Sequence, residues 1–182
     1  EEWELIVIGG GITGAGVARE AARRGLKTLL VEQRDYAWGT SSRSSKMVHG
    51  GLRYVAQGDI KLTWHSLTER ERLLIEAPGL VTRMGYWFAH YRHVFPGRFV
   101  FGILLRIYDF LAGVRDRRFL KRKDFLARMP GYRDANLTGA SRYTDALVDD
   151  SRLVMRVLDE AGADGALALN YVKAESLIME NG

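Results

Sequence analysis

Hydrophobic positions in the first 32 residues form two short apolar runs separated by a helical pattern. The runs, Leu5 to Ile8 and Lys27 to Val31, have the length and composition of buried strands. A helix is expected from about Ile12 to Arg24, where small residues collect on one side, and Gly25 ends it. The alternation of strand, helix and strand predicts an α/β fold.

The rest of the chain contains further periodic stretches. Helices are predicted over Ile60 to Ile75, Arg98 to Ala112, Lys123 to Met129 and Ser151 to Ala161, and strands over Met84 to Tyr91, Leu137 to Thr144 and Ala166 to Met179. Asp149 and Asp150 stand where an N-cap and a first-turn carboxylate favour the helix after them, so both are expected to be structural. The last strand is expected beside the first.

The helix predicted over residues 60–75 has the pattern of a packing helix. Its apolar residues on roughly one side are Leu62, Leu67, Leu74 and Ile75, and its charged residues offering ion pairs are Glu69, Arg70, Glu71 and Arg72. His65 on this helix is expected at the surface. His90 and His93 lie three residues apart without a third ligand, so no metal site is expected.

The turn between the first strand and the first helix has the spacing G-x-G-x-x-G. Gly9 permits a tight turn, Gly11 lets the backbone approach a pyrophosphate, and Gly14 lets the helix pack closely on the strand. The N-terminus of the helix directs its N–H groups and dipole at the phosphates. Glu32, about 20 residues further on, can accept hydrogen bonds from ribose hydroxyls. These features predict a dinucleotide site, with a tight loop that binds no phosphate as the alternative.

The identity of the dinucleotide stays open on this element alone. Arg34 would suit the 2′-phosphate of NADP, but Glu32 would repel that phosphate. NADP is therefore disfavoured, and both NAD and FAD remain.

Two further segments carry groups suited to anions and flat rings. Residues 39–46, GTSSRSSK, place hydroxyls and two cations in one loop, which suits an anionic ligand; a solvated serine-rich connection is the alternative. Gly50 and Gly51 then put two bare backbone positions between His49 and Arg53. A flat ring pressed against the main chain would require such an arrangement.

Three segments, IVIGGGITGAG, GTSSRSSKMVHGGLRY and YTDALVDDSRLV, make the sequence resemble the FAD-dependent glycerol-3-phosphate dehydrogenases, within the wider D-amino-acid-oxidase-like flavoenzymes. The first segment would match many flavoproteins and NAD enzymes, whereas the second is far more specific. The resemblance runs along essentially the whole chain and covers only about the first third of a typical family member. It implies FAD as cofactor and oxidation of sn-glycerol 3-phosphate to dihydroxyacetone phosphate, with electrons passed to a quinone.

The resemblance also implies roles for individual residues. The ADP half of FAD would be held by Gly9, Gly10, Gly11, Ile12, Thr13, Gly14, Glu32 and Gln33, and its adenine would touch the backbone near Ala174. The pyrophosphate and ribityl region would be lined by Thr40, Ser41, Ser42, Ser45 and Lys46, and the isoalloxazine ring by His49, Gly50, Gly51 and Leu52. Arg53 and Tyr54 match positions that face the substrate, where a guanidinium fork suits a phosphate dianion and a phenol supplies a hydrogen bond. Family members vary at Thr13 and Arg43, so only backbone roles are assigned there.

Composition narrows the class of protein further. With 182 residues, 47% of them hydrophobic, the chain can bury a real core and is not a disordered polypeptide. Its 27 Lys+Arg exceed its 22 Asp+Glu by a net charge of +5, which permits an anionic membrane partner without requiring one. No nucleic-acid partner is expected, because the aromatic residues follow strand and helix periods and do not interleave with a basic stripe. The absence of cysteine excludes disulfides, thiolate metal sites and a cysteine nucleophile.

The location of the protein is expected to be cytoplasmic. A strand already begins at Leu5, which leaves no room for a signal peptide before it, and no apolar run reaches the ~18 residues of a membrane span. Residues 98–112 form an apolar stretch followed by a basic cluster over 115–123, and such a helix can lie on an anionic membrane surface. It can equally be a buried helix with a solvated basic rim. The resemblance favours the membrane, and so a peripheral position on its inner face, because the resembled dehydrogenases deliver electrons to a membrane quinone.

We therefore predict an α/β, Rossmann-like FAD-binding fold of the glutathione-reductase-like kind, together with part of a second, β-rich substrate domain. The FAD-binding domain is assigned to residues 1–59 and 147–182 and the substrate domain to 60–146. The fold is expected to be incomplete and the isolated chain inactive, because Asn181-Gly182 is a hairpin signal without a return strand. Two alternatives remain: another flavin oxidase of the superfamily, acting on an amine or amino acid whose carboxylate meets Arg53, and a non-catalytic nucleotide-binding module. No histidine spacing singles out a general base, and the oligomeric state is left open.

Overall fold

The computed structural model describes residues 2–179. In chain order the strands are β1 (Leu5–Ile8), β2 (Thr28–Glu32), β3 (Met47–Val48), β4 (Val81–Tyr91), β5 (Arg118–Lys121), β6 (Leu137–Val148) and β7 (Leu167–Asn170). The α-helices are α1 (Ile12–Arg23), α2 (Leu52–Ala56), α3 (Ile60–Glu76), α4 (Arg98–Leu111), α5 (Arg122–Arg128) and α6 (Asp150–Ala163), and Thr40–Ser42 forms one turn of 3-10 helix. The residues divide into two compact units, 2–46 with 148–179 as unit 1 and 47–147 as unit 2.

Unit 1 is built on a parallel sheet in the order β1-β2-β7. Helices α1 and α6 share one apolar core with the sheet, in which Ala15 and Ala18 of α1 meet Val154 and Leu158 of α6. The small residues on α1 allow this close packing. At the rim, Arg19 pairs with Glu160 across 2.7 Å. The predicted α/β architecture with a parallel sheet is confirmed.

The prediction that the last strand lies beside the first is wrong. Leu29 to Glu32 of β2 pair with Leu167 to Asn170 of β7, so β2 is the central strand. Burial agrees with this order, because Leu30 of β2 is fully buried whereas Ile6 and Ile8 of β1 are more than half exposed.

The predicted strand from Ala166 to Met179 is also too long, because β7 ends at Asn170. Tyr171 has a left-handed backbone with φ of 59°, which lies outside the β region. After it, the amides of Tyr171 and Val172 donate to the carbonyls of Arg34 and Glu32. The segment therefore continues along the end of β2 without regular secondary structure. The Asn181-Gly182 signal lies outside the described residues.

Unit 2 contains a four-stranded sheet in which β3, β4 and β5 each pair with the long strand β6. Helices α2, α3 and α4 pack around Val55, Leu67 and Tyr108, and α5 covers a second cluster around Phe125, Leu137 and Ala140. The helix predictions are confirmed to within two residues at each end, whereas β3, α2 and β5 were not predicted. Residues 47–59, which the sequence analysis grouped with the FAD-binding domain, belong to this unit.

Across residues 2–179, no helix combines the length and the apolar character needed to cross a membrane.

Candidate functional site

The glycine turn of unit 1 joins the end of β1 to the start of α1. Gly9 has a positive φ of 111°, and its N–H donates to the carbonyl of Val31 at 2.8 Å, which fixes the turn to β2. A Cβ on Gly14 would lie 1.9 Å from the carbonyl oxygen of Gly9 and 3.4 Å from Val7. The absence of a side chain at Gly14 therefore lets α1 start directly against β1, as the spacing predicted.

Unpaired backbone donors collect at the start of α1. The N–H of Ile12 donates to the Ser41 hydroxyl at 2.9 Å, and a Cβ on Gly11 would approach that hydroxyl to 3.1 Å. Within residues 2–179 the amides of Gly11, Thr13 and Gly14 have no acceptor. The first amides of a helix have no partner inside the helix, and together with the dipole they attract an anion. The free amides of the turn could therefore donate to a phosphate group.

Glu32 at the end of β2 is held beside this turn. One oxygen of its carboxylate accepts from the Gly10 amide and the other from the Arg34 amide, each at 2.8 Å. A carboxylate offers about four acceptor positions. Two of them hold the side chain in place, and the remainder can receive sugar hydroxyls. The adjacent Gln33 is exposed, as is Ala174 in the segment after β7.

The hydroxyl-rich loop is tied to the start of α6. The hydroxyl of Ser44 donates to Asp150 at 2.7 Å, and the Lys46 ammonium pairs with the other oxygen of the same carboxylate. The Lys46 ammonium and then the Ser44 hydroxyl hold the pKa of Asp150 well below its usual range. Asp149 caps α6 as predicted, by accepting from the Arg152 amide. The predicted structural role of Asp150 did not include this hold on the loop, because the sequence does not show that residues 44 and 150 meet.

The hydroxyl groups assigned to the pyrophosphate and ribityl region occupy the same loop. Thr40, Ser41 and Ser42 form the 3-10 turn, in which Ser41 and Ser42 are half-buried, and Ser45 is exposed. Ser41 contacts the glycine turn through its hydroxyl. The cofactor roles of these residues stay predictions.

The second predicted segment, His49 to Tyr54, lies in unit 2 between β3 and α2. Gly50 and Gly51 are both buried, and Gly51 has a left-handed φ of 82° as the N-cap of α2. The rings of His49 and Tyr54 meet edge to face, with centroids 6.0 Å apart. Leu52 is half-buried. The turn thus presents a histidine and a tyrosine on either side of a glycine pair.

Arg53 on α2 is exposed. Its guanidinium lies 5.9 Å from the centre of the Tyr54 ring, and among the described residues it has no carboxylate partner. An unpaired guanidinium beside a phenol can bind a phosphate or a carboxylate.

A buried polar network lies directly behind the glycine pair. One oxygen of Asp145 accepts from the Gly50 amide at 2.9 Å, from Arg70 at 2.7 Å and from the Tyr108 hydroxyl at 2.6 Å. Asp145, Arg70 and Tyr108 are each at most 2% exposed. Burial, and then the charge of Asp145, raise the pKa of Tyr108, so the phenol keeps its proton and donates.

Sequence reasoning missed this network. It placed Arg70 among the ion-pairing charges of the third helix and gave Asp145 and Tyr108 no role. The sequence held one signal: Thr63, Leu67 and Arg70 have the spacing of a single helix face, which placed Arg70 on the same side as an apolar residue. The structure shows that all three are buried. The presence of the opposing carboxylate on β6 could not be inferred from that spacing.

The buried His90 is part of the packing of unit 2. Its Nε2 lies 2.9 Å from the Ser141 hydroxyl, and burial lowers its pKa. His65 is exposed, as predicted. Residues 2–179 contain no cluster of three histidine, aspartate or glutamate side chains close enough to hold a metal ion.

Comparisons with known proteins place the chain in a family. A sequence model of the family described as FAD dependent oxidoreductase (DAO) matches residues 4–182. An aerobic glycerol-3-phosphate dehydrogenase from Bacillus subtilis (strain 168) is 41% identical over 183 residues, which is 99% of this chain and 33% of that protein. The chain therefore spans about a third of the length of the curated relatives that it matches.

Solved structures show the same likeness. The glycerol-3-phosphate dehydrogenase from Bacillus halodurans complexed with FAD aligns with a TM-score of 0.73 at 34% identity, over 100% of this chain and 29% of that one. The L-proline dehydrogenase from P. horikoshii aligns with a TM-score of 0.69 at 23% identity, over 100% of this chain and 47% of that one. The second likeness shows the fold alone.

Proposed function

Since the chain belongs to the FAD-dependent oxidoreductase family, we propose that this protein binds FAD and oxidises sn-glycerol 3-phosphate to dihydroxyacetone phosphate. The observation that carries the proposal is the whole-chain similarity to glycerol-3-phosphate dehydrogenases. The free amides at the start of α1 and the unpaired Arg53 suit the two phosphate-bearing molecules of that reaction.

The residues present fit the cofactor. A pyrophosphate needs several converging donors and close access to the backbone, and the glycine turn provides both, with the Ser41 hydroxyl beside it. Glu32 supplies a carboxylate for the ribose hydroxyls. The ADP half of FAD is therefore assigned to unit 1.

Bound FAD would supply the oxidant, accepting a hydride from the carbon that bears the secondary alcohol. The chain itself binds and orients: Arg53 holds the phosphate of glycerol 3-phosphate through a planar pair of donors, and the Tyr54 hydroxyl hydrogen-bonds the substrate. Because a bidentate ionic anchor is directional, Arg53 sets which carbon is presented for oxidation. The alcohol proton leaves to a base that the described residues do not identify.

Anaerobic reduction of the bound flavin tests this function. A full-length enzyme that carries this segment is purified with FAD, and the oxidised-flavin absorption is followed after addition of glycerol 3-phosphate, glycerol or amino acids. Glycerol 3-phosphate is expected to bleach the flavin absorption, whereas glycerol and amino acids are not. Bleaching by an amino acid would instead support the amino-acid oxidase alternative, and a protein that holds FAD but is reduced by none of them would support a non-catalytic module.

We also propose that the protein lies at an anionic membrane surface, on the cytoplasmic side, and passes its electrons to a quinone. The outer side of α4 supports this, because Phe99 and Phe110 are each 84% exposed and Ile103 is 57% exposed. Ile103 follows Phe99 by four positions and Phe110 follows Ile103 by seven, close to one and two turns of helix, so the three residues share one side. Phe95, just before the helix, extends the same apolar character and is 81% exposed.

Basic groups stand beside this apolar side. A cavity of about 490 Å³ along α4 and β5 is lined by Arg98, Arg106 and Arg118. Within residues 2–179 none of the three forms a salt bridge, although the charge of Arg118 acts on Asp116. Apolar side chains flanked by arginines suit the boundary between anionic headgroups and acyl chains. The electron acceptor is tested by comparing flavin reoxidation by a soluble quinone with reoxidation by oxygen; faster reoxidation by oxygen would contradict the quinone.

A further inference from the structure

The Asp145 network has the features of a device that sets one backbone conformation. A charged acceptor that takes three donors on a single oxygen fixes the direction of each of them, because hydrogen bonds to a carboxylate are short and directional. Two of the donors come from side chains on α3 and α4, and the third is the backbone of Gly50. Through Asp145, the network therefore fixes the position of the Gly50 peptide relative to α3 and α4.

Packing restrains the same residue from the side. A Cβ on Gly50 would lie 2.2 Å from Leu67 and 2.2 Å from the Tyr108 hydroxyl, so the backbone of Gly50 is pressed against α3 and α4. Gly51 follows with a left-handed backbone that begins α2. The course of the chain from His49 to Leu52 is thus defined by a hydrogen bond, two steric contacts and a turn.

Stability alone gives a weak reason for this arrangement. A buried ion pair contributes little compared with apolar side chains of similar volume, since both charges lose their hydration. The Arg70 guanidinium also binds Glu71 at 2.8 Å, and Glu71 in turn pairs with Arg83, so the network extends from the buried carboxylate to the surface. The donor atoms of Gly50, Arg70 and Tyr108 in this network each have an acceptor, which is the condition for a network that specifies one structure.

Resting on the proposed function, we propose that Asp145, held by Arg70 and Tyr108, is a positioning residue that fixes the Gly50 amide and with it the His49 to Leu52 backbone along the isoalloxazine ring. Asp145 touches neither flavin nor substrate in this role. It acts through the Gly50 peptide and so controls the position and the polar environment of the isoalloxazine ring. The ADP half of the cofactor is bound by other residues of the chain.

The variant Asp145→Asn tests the proposal, with Asp109→Asn as its matched control. Asp109 is a buried carboxylate on α4, next to Tyr108 in sequence, and pairs with Arg117 at 2.8 Å without touching residues 49–52. Both changes remove one buried charge beside an arginine in unit 2. Tyr108→Phe is the second variant, for use if Asp145→Asn does not fold. It removes one hydrogen bond to Asp145 and leaves the Asp145–Arg70 pair in place.

The first measurement is hydrogen exchange in the full-length protein without flavin, in the peptide that contains residues 49–52. Loss of the charged acceptor is expected to speed exchange of that peptide by about tenfold or more in Asp145→Asn and by less in Tyr108→Phe, with no change in Asp109→Asn. This arm does not depend on FAD. Unchanged exchange in both network variants, or equal acceleration in Asp109→Asn, would overturn the proposal.

The second measurement is made on the FAD-loaded enzyme. The network variants are expected to retain FAD but to shift its visible circular dichroism and its reduction potential, while Asp109→Asn keeps the wild-type values at a similar loss of thermal stability. A merely structural role would lower the melting temperature without moving either flavin property, and that result would also overturn the proposal. A wild-type protein that takes up no FAD would instead refute the proposed function, and with it the role toward the ring, whatever the exchange arm shows.

Discussion

At the scale of single residues, the structure shows which glycines of the glycine-rich turn lack room for a side chain. Gly14 and Gly16 both belong to the first turns of α1, yet their surroundings differ. A Cβ on Gly14 would overlap the Gly9 carbonyl, whereas a Cβ on Gly16 meets nothing within 4 Å. The spacing therefore marks which glycine is required, and the neighbouring glycine provides a control within the same helix.

Gly14→Ala is expected to lower the free energy of unfolding by an amount near the upper end of about 1–3 kcal/mol, because the backbone of Gly9 cannot move aside as a side chain can. FAD uptake should fall with it, since α1 would be displaced from β1. Gly16→Ala should instead be neutral or stabilising by up to about 1 kcal/mol through its helix propensity. Denaturant titration and flavin content measure both effects. Equal behaviour of the two variants would contradict the assigned role of Gly14.

Arg53→Ala, made in a full-length enzyme carrying this segment, is expected to lower kcat/KM for glycerol 3-phosphate by about ten- to two-hundred-fold, since a hydrogen bond to a charged group is lost. Arg53→Lys should recover only part of the loss, because an ammonium keeps the charge but not the planar fork. The flavin spectrum should stay intact in both. Arg72→Ala is the control: Arg72 is exposed on α3 and pairs with Glu76 at 2.7 Å.

The measurement is steady-state kcat/KM per bound flavin. If Arg53→Ala kept the wild-type value, Arg53 would be removed from the substrate site.

At the scale of elements, α4 has two apolar sides with different surroundings. Phe101, Leu105 and Tyr108 are buried within unit 2, whereas Phe99, Ile103 and Phe110 are exposed. The sequence is compatible with both a buried helix and a membrane-surface helix. In the structure the inner side is buried and the outer side is exposed, so α4 combines features of both.

The double variant Phe99→Ser, Phe110→Ser is expected to weaken binding to anionic vesicles by about tenfold or more, because two large apolar side chains no longer enter the interface. Binding of the unaltered protein should fall as salt rises, since its arginines contribute about 1 kcal/mol each near such a surface and are screened by ions. Vesicle sedimentation at several salt concentrations measures both. Ile75→Ser, which removes a 79% exposed apolar residue from α3, should have no effect.

Equal binding of the double variant and the unaltered protein would rule out α4 as the attachment surface. Binding that is independent of lipid charge would remove the role of the arginines.

At the scale of the whole molecule, sequence reasoning succeeded where the chain is locally determined. The bounds of α1 and β1 followed from apolar period and glycine position. It failed where the outcome depends on which distant segments meet. The order β1-β2-β7 cannot be predicted from the sequence of any single strand, because parallel strands are joined by crossovers that permit several orders. The short β3 and β5 exist through pairing with β6, and the burial of Arg70 depends on a carboxylate 75 positions away.

The stability of unit 1 in acid should depend on Asp150. The folded-state pKa of this carboxyl is depressed, so its contribution to the free energy of unfolding is fully present above the ordinary carboxyl pKa of about 4 and is lost as the pH falls toward the folded value. Asp150→Asn is therefore expected to lower stability at neutral pH and to flatten the fall of stability below about pH 4. Denaturant unfolding at a series of pH values measures this. Asp159→Asn changes an exposed carboxylate on the same helix and should leave the pH dependence as it was.

A steeper acid dependence in Asp150→Asn than in the unaltered protein would contradict the assignment.

The hydrogen bond from the Val148 amide to the Lys46 carbonyl, 2.8 Å long, has a consequence for how the molecule can change over evolutionary time. Lys46 is the last residue of unit 1 before the chain leaves it, and Val148 is the first after the chain returns. The intervening residues 47–147 therefore form an insertion into unit 1, and the chain leaves and re-enters unit 1 at neighbouring positions. Because those ends are already joined, lengthening, shortening or replacing the insertion puts no tension on the β1-β2-β7 sheet. Unit 1 can then stay constant while residues 47–147 diversify.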